Sequence, residues 1–372
     1  MRSSTAAGHG PGGIADAVFG EETRDLAHVR SFALEGDLHA DGEAHAGSLR
    51  AAPGPAIGLS VARAGPFANA GSVLLALATR SDLPTWEVDD RPLHQALAEL
   101  GVPFEQPVWD DPEVDWSRYR GVLVRTTWDY QEKLPAFLGW ARSVAAVTSL
   151  HNPLRVLTWN THKHYLRQLE AEGVPLAPTC WLDRGTKPDL GALVAGLGCR
   201  EAFLKPCVGA SARETLRFRV DGAGLTAAEE HVARLLPNED LMLQPFLGQV
   251  LVRGEWSAVF VDGALSHCLR KIPVAGDYRV QDDYGARDEV YEPTLAEREL
   301  AFRAIAAVQR VGGPCPGADG EALLYGRADF LWEDDGGCVL TELELVEPSL
   351  FFRHRSEAGM RLARGWLRRL QG

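Results

Sequence analysis

The sequence predicts an α+β protein whose N-terminal module is α/β. Short apolar runs at 73–78 and 121–125 read as strands buried on both faces, as in parallel sheets. Longer segments at 255–261, 322–332 and 338–346 read instead as antiparallel strands. Between the two sets, strand and helix patterns alternate, with no internal repeat.

Taken in order, residues 1–70 are rich in Gly, Ala, His and Ser and carry neither strand nor helix periodicity, so a disordered extension is expected. Gly10-Pro11-Gly12-Gly13-Ile14-Ala15 fits a dinucleotide fingerprint only formally, because no strand precedes it and Pro11 disturbs the turn. A first module over 71–154 then holds the run at 73–78, a helix over 93–100 stopped by Gly101, and the run at 121–125. The latter ends in Thr126-Thr127-Trp128-Asp129-Tyr130, at the strand end where such sheets place ligands. A second part, 155–244, opens with a helix that Asn160 would cap and that carries Lys163, Tyr165, Leu166 and Leu169 as far as Gly173. Strands at 202–205 and 241–244 follow, with a charged helix near 226–235 between them. The third part, 245–372, holds the antiparallel strands and a helix near 356–370. Its stripe of Leu362, Ala363, Trp366, Leu367 and Leu370 is expected to dock on the core.

Composition narrows the function. The 372 residues carry 38 Lys and Arg against 51 Asp and Glu, a net charge of −13, so no global basic field draws the chain to nucleic acid. The ten tryptophans are then expected in core and pocket walls rather than in a base-stacking platform. No run approaches the roughly 18 apolar residues of a membrane helix. Cys180, Cys199, Cys207, Cys268, Cys315 and Cys338 include no C-x-x-C pair, which argues for a reducing, cytoplasmic setting. Cys207 sits beside a candidate phosphate loop, but nothing in the sequence signals a lowered pKa. His162 and His164 flank Lys163; on a helix a spacing of two turns them about 200° apart, so zinc ligation is not expected.

The chemistry concentrates near the C-terminus. In Thr341-Glu342-Leu343-Glu344-Leu345 the two acids share one strand face, and in Gly326-Arg327-Ala328-Asp329-Phe330 so do Arg327 and Asp329. A turn at 333–337 folds the two strands together. With 332 opposite 338, Asp329 faces residue 341, next to Glu342. Three such carboxylates repel one another unless a cation intervenes, and hard oxygen ligands suit Mg²⁺ held with phosphates. A solvated strand face is the plain alternative. No Walker A motif occurs. Lys205 at a strand end precedes a small-residue loop, Val208-Gly209-Ala210-Ser211, whose amides could approach phosphate, and Gly276-Asp277-Tyr278-Arg279 sets Arg279 beside a glycine turn as a phosphate fork.

In this order the residues resemble the ATP-grasp superfamily of carboxylate–amine ligases over about 71–372. The resemblance implies an ATP-grasp fold, with a pre-ATP-grasp domain ahead of two lobes that sandwich the nucleotide. It implies Lys163 and Lys205 on the phosphates, Gly209 and Ser211 in the covering loop, and Gln244, Pro245, Phe246 and Leu247 as the hinge holding adenine. Glu255 would meet the ribose, Lys271 would be a further phosphate cation, and Arg279 would reach the terminal phosphate. Arg327-Ala328-Asp329 and Glu342-Leu343-Glu344, with Asp329 and Glu342 thirteen residues apart, resemble the R-x-D and E-x-N signatures. Asp329, Glu342 and Glu344 would then be the metal ligands for two Mg²⁺ ions, with Mn²⁺ as an alternative. Glu344 stands where the family has asparagine, which adds a negative charge. Glu347-Pro348-Ser349 and the 125–130 segment resemble the glutathione-synthetase-like branch, which includes the cyclo-ligase that closes the D-cycloserine ring. This puts Arg125, Thr127, Trp128, Asp129 and Ser349 near the substrate.

The implied activity is ATP-dependent ligation or ring closure on a small amino-acid-like substrate through a phosphorylated intermediate, with Arg327 on the tetrahedral oxyanion. A homo-oligomer is compatible with all of this. The alternatives are an inactive nucleotide-binding module and a phosphotransferase that stops at the phosphorylated product.

Overall fold

The computed structural model describes residues 73–83, 88–311 and 323–371; the expected extension over 1–70 lies outside them. The first sheet is parallel, in the order β2-β1-β3-β4, from β1 (Leu75–Thr79), β2 (Phe104–Glu105), β3 (Gly121–Thr126) and β4 (Ser149–His151). Every residue of β1 and β3 is buried, which accounts for the apolar run that each carries up to its polar end, Thr79 in β1 and Arg125-Thr126 in β3. Helices α1 (Arg91–Glu99) and α2 (Leu134–Val147) pack beside this sheet; α1 ends just before Gly101, whose φ of 68° suits a residue without a Cβ.

Next, α3 (Leu154–Asn160) and α4 (Tyr165–Ala171) lead to an antiparallel sheet ordered β5-β8-β6-β7. Its strands are β5 (Cys180–Leu182), β6 (Glu201–Pro206), β7 (Leu216–Arg219) and β8 (Leu241–Pro245). Helices α5 (Leu190–Leu197) and α6 (Gly222–Leu235) cover it. Each starts from an aspartate, Asp189 or Asp221, that accepts a first-turn amide. After the short α7 (Val250–Arg253), the third sheet runs β11-β10-β9-β12-β13, from β9 (Glu255–Val261), β10 (Ala264–Ile272), β11 (Arg287–Val290), β12 (Tyr325–Trp332) and β13 (Cys338–Glu344). On its apolar face lies α8 (Leu295–Arg310), fixed by a Thr294–Glu297 capping box.

The last helix, α9 (Glu357–Gln371), buries Leu362, Ala363, Trp366, Leu367 and Leu370, the expected stripe. These side chains join Leu75, Leu93 and Leu97 of the first module to Val259 and Val261 of the third sheet, so α9 ties the ends of the described chain into one core. At about 1.5–3 kcal/mol per buried large apolar side chain, this seam is a major part of what holds the first sheet in place. It requires Gly359: a Cβ there would lie 2.6 Å from the backbone carbon of Pro92 at the start of α1.

One expected helix is broken. Asn160 does not cap it: its buried amide donates to Leu343 O at 2.8 Å and accepts from Leu345 N at 2.7 Å, bracketing β13. Residues 161–164 form a turn between α3 and α4, and the Lys163 amide donates to Cys207 O at 2.8 Å instead of to a helical carbonyl. Two strands absent from the sequence reading, β10 and β11, complete the third sheet. β10 pairs with β9 through the turn at Asp262-Gly263.

Candidate active site

The acids meet through a bulge. Trp332, Leu331 and Phe330 of β12 face Cys338, Val339 and Leu340 of β13, as the turn at 333–337 predicts, but the register then shifts. Asp329 pairs with Glu342 and Arg327 with Glu344, which leaves Thr341 as the extra residue. Directly opposed residues share a face, so the bulge puts Asp329, Glu342, Glu344 and Arg327 on one side while Phe330, Leu340 and Leu343 enter the core. The Thr341 hydroxyl donates to Asp329 O at 3.0 Å across the defect.

Cations from three other elements close on this face. Lys163 Nζ lies 2.9 Å from Glu342 Oε1 and donates to Gly209 O at 2.8 Å. From β10, Lys271 lies 2.5 Å from Glu255 and 3.4 Å from Asp329. Arg327 pairs with Asp329 at 3.0 Å, touches Glu344, and donates to Ser349 O at 2.9 Å. The result is an alternating chain of charge, Glu255–Lys271–Asp329–Arg327–Glu344. Lys205, at the end of β6, differs. Its Nζ donates only to Thr341 O, at 3.4 Å, and among the described residues no carboxylate lies within 4.0 Å of it.

This arrangement sets the ionisation. Burial raises the Glu342 carboxyl, but Lys163 and Lys205 outweigh it and hold the group below the ordinary range. Burial likewise opposes ionisation of Asp329, yet Arg327 and Lys271 hold it far down. Glu344 is pushed up to about 7 by burial, with Arg327 opposing and the neighbouring acids reinforcing the rise. Burial holds the Lys205 amine below its usual value, with Glu342 offsetting only part of the effect. Burial also pushes the Cys207 thiol up to about 12, so it is not a reactive thiolate.

One cleft of about 340 Å³, within the range of small-molecule sites, collects these groups. Gly209 and Ser211 line it, in a loop that takes left-handed φ at Ser211, Ala212 and Glu214 (49°, 55° and 52°). Such conformations cost of order 1 kcal/mol each and need support. Ala210 N donates to Gln131, Tyr284 donates to Ser211 O at 3.2 Å, and the Thr215 and Tyr278 hydroxyls lie 3.0 Å apart. Gln244, Pro245, Phe246 and Leu247 form another wall, with the Gln244 amide turned onto Thr179 at 2.8 Å. Arg279 lines the cleft too, but its guanidinium pairs with Asp277 at 2.6 Å and stacks 3.7 Å from the Tyr284 ring centre.

Of the residues expected near a substrate, Trp128 and Ser349 line the cleft and three do not. Arg125 is locked in a buried ion pair with Asp90 at 2.7 Å. Thr127 is buried outside the cleft, and Asp129 accepts from Trp109 at 2.8 Å and pairs with Lys133 at 3.0 Å. β3 ends at Thr126, and in the turn that follows only Trp128 and Tyr130 line the cleft. Glu347, quoted from sequence only as part of a motif and given no role there, is also a cleft residue. Its carboxyl is pushed up to about 8 by burial and by Glu344, and Trp128 donates to its carbonyl at 3.1 Å. Its place beside Ser349 in the Glu347-Pro348-Ser349 segment was the available signal.

Hard carboxylate oxygens from two adjacent strands, ringed by lysines and arginines, suit Mg²⁺ carried with a polyphosphate. A family profile described as "D-cycloserine synthetase DcsG, N-terminal domain" matches residues 75–152. The cycloserine biosynthesis protein DcsG of Streptomyces lavendulae is 32% identical over 313 residues, 80% of this chain and 99% of that protein. The crystal structure of D-cycloserine synthetase DcsG superposes with a TM-score of 0.70 at 32% identity, covering 80% of this chain and 99% of that one. D-alanine–D-alanine ligase from Bacillus anthracis shares the fold at 14% identity, with a TM-score of 0.56 over 80% of this chain and 99% of its own. The ATP-grasp ligase PsnB does so at 15% identity, with a TM-score of 0.53 over 80% and 98%. Three sheets in this order, acids and cations on one cleft, and identity across nearly the whole of a DcsG protein lead to one assignment: the chain belongs to the DcsG family of ATP-grasp ligases.

Proposed function

We propose that this chain uses ATP to activate a carboxylate of a small amino-acid-like substrate and then forms a C–N bond, closing a ring when the attacking nitrogen belongs to the same molecule. The convergence of Asp329, Glu342 and Glu344 with Lys163, Lys205 and Lys271 on one cleft carries this reading. A carboxylate resists amines because oxide is a poor leaving group. Phosphoryl transfer to its oxygen gives an acyl phosphate, and nitrogen attack then expels inorganic phosphate. Asp329, Glu342 and Glu344 would hold two Mg²⁺ ions, or Mn²⁺, whose chemistry is to neutralise charge between the β- and γ-phosphates. Lys163, Lys205 and Lys271 position the phosphate oxygens, under the loop at 209–215. Arg327, pinned by Asp329 and Ser349 O, holds a fixed donor array for the tetrahedral oxyanion. Glu347, in the same cleft and without a cation within 4.0 Å among the described residues, suits a substrate ammonium.

The relative's name, D-cycloserine synthetase, makes ring closure on an O-ureidoserine-type compound the first substrate to test. ADP release is measured across amino acids and such compounds, each with and without a second amine. Release that needs one compound alone, with a product mass showing loss of water or of a larger fragment, supports cyclisation. A product that only gains phosphate refutes ligation. Glu342→Ala is expected to abolish turnover; full retention removes the metal assignment.

A further inference from the structure

We infer that His162, His164 and Cys207 form a second metal site, for a borderline-soft divalent cation such as Zn²⁺, outside the carboxylate face. Since residues 161–164 are a turn rather than a helix, the two histidines are not splayed; their ring centres lie 4.4 Å apart. One ligand atom from each histidine and Cys207 Sγ all fall within 4.8 Å of one another. Tetrahedral zinc, with bonds of about 2.0–2.3 Å, sets its ligands about 3.5 Å apart, so small side-chain rotations close the triangle.

The surroundings match those of a ligand set. His162 Nε2 lies 3.0 Å from Asp240 Oδ2, the outer-shell carboxylate that orients a ligating imidazole. Asp240 is itself held, accepting from Arg184 N at 2.6 Å. The other His162 nitrogen, Nδ1, takes only a long 3.4 Å contact from the His164 amide. His164 Nε2 is buried with no hydrogen-bond partner, a cost that a metal bond removes. Cys207 is fully buried and its main chain is fixed on both sides, donating to Asp240 O and accepting from Lys163 N, each at 2.8 Å.

Two imidazoles and a thiolate select zinc-like ions over Mg²⁺, which takes oxygen. On binding, the Cys207 thiol proton passes to solvent and no electrons move. The ion would clip the end of β6 to the turn carrying Lys163, fixing that lysine from both neighbours in sequence.

The test uses Co²⁺ as a spectroscopic stand-in for Zn²⁺, added to the full chain after chelator treatment, without nucleotide. One equivalent per chain is expected to give a thiolate-to-cobalt charge-transfer band and tetrahedral d–d bands that excess Mg²⁺ does not remove and one equivalent of Zn²⁺ does. Cys207→Ser is expected to abolish the charge-transfer band. His164→Gln, which spares the buried cysteine should the first variant not fold, is expected to weaken Co²⁺ binding at least tenfold. Glu342→Ala is expected to leave the spectrum unchanged. Absence of the charge-transfer band in the unaltered protein, its persistence at full strength in His164→Gln, or its loss in Glu342→Ala would overturn the assignment.

Discussion

Lys205→Met is expected to separate stability from binding. Lys205 has no carboxylate within 4.0 Å among the described residues, and burial holds its amine below the ordinary lysine range. The fold therefore carries a cation it does not fully compensate, and an apolar side chain of similar length should leave Tm equal to or above that of the unaltered protein. Binding moves the other way. A charge-assisted hydrogen bond to a phosphate oxygen is worth about 1.5–3 kcal/mol net, so losing it should raise the Kd for ATP with Mg²⁺ about 10- to 150-fold. Lys163→Met is the control. It leaves Glu342 Oε1 and Gly209 O without their 2.9 and 2.8 Å partner, so it should lower Tm by several degrees as well as weaken binding. Thermal scans give the first quantity and titration calorimetry the second. A fall in Tm for Lys205→Met equal to that for Lys163→Met, or an unchanged Kd, would refute the reading of Lys205 as a cation kept for an external anion.

Two further outcomes follow from the packing and charge described above. The Glu347 carboxyl, raised to about 8 by burial and Glu344, favours its neutral form in the fold; the stability this confers is fully present below the unfolded value near 4.5 and is lost as pH rises through 8. The ligand-free Tm should thus drop between pH 5 and 8, with Glu344, pushed up to about 7, adding to the fall, and Glu347→Gln should reduce the drop, whereas an unaltered slope would leave Glu347 no share in it. Gly359→Ala sets a methyl 2.6 Å from the Pro92 backbone at the α1–α9 seam and should cost about 1–3 kcal/mol in chemical denaturation; no measurable loss would mean that the two helices separate freely.

Much of the fold was legible because period and burial agree. β1 and β3 are buried throughout and apolar up to their last residues, and the α9 stripe is a single face. The acid pairs were legible as strand alternation, and the turn at 333–337 gave their register up to Phe330. The bulge was not. Nothing in Thr341-Glu342 marks an extra residue, and the hydroxyl contact that spans it reaches a carbonyl twelve positions away. The break between α3 and α4 was hidden for a related reason: Asn160 has the side chain of a cap, but the carbonyl and amide it serves lie at and just past the end of β13, far along the chain. Arg125 read as a substrate-side group because the 125–130 segment resembles the family branch, whereas its actual partner, Asp90, precedes α1 in a different segment. In each case the deciding contact was non-local.

The bulge and the charge chain are one device. Without the extra residue, Asp329 would oppose Thr341, and Glu342 and Glu344 would point into the core with Leu340. With it, carboxylates gather at a density tolerable only because each is matched: Glu342 by Lys163, Asp329 by Lys271 and Arg327, and Glu344 by Arg327. The glutamate at 344, in place of the asparagine of the resembling signature, fits this logic, since a neutral amide would leave Arg327 with one carboxylate in place of two. On the proposed reading, the same matching prepares a change of partners. Whatever draws the carboxylates to itself frees Lys163, Lys271 and Arg327 to turn to anions, while Lys205 holds only the Thr341 carbonyl beforehand. Affinity for a polyphosphate and affinity for the ion on the acids are then linked through those shared cations, and each must strengthen the other.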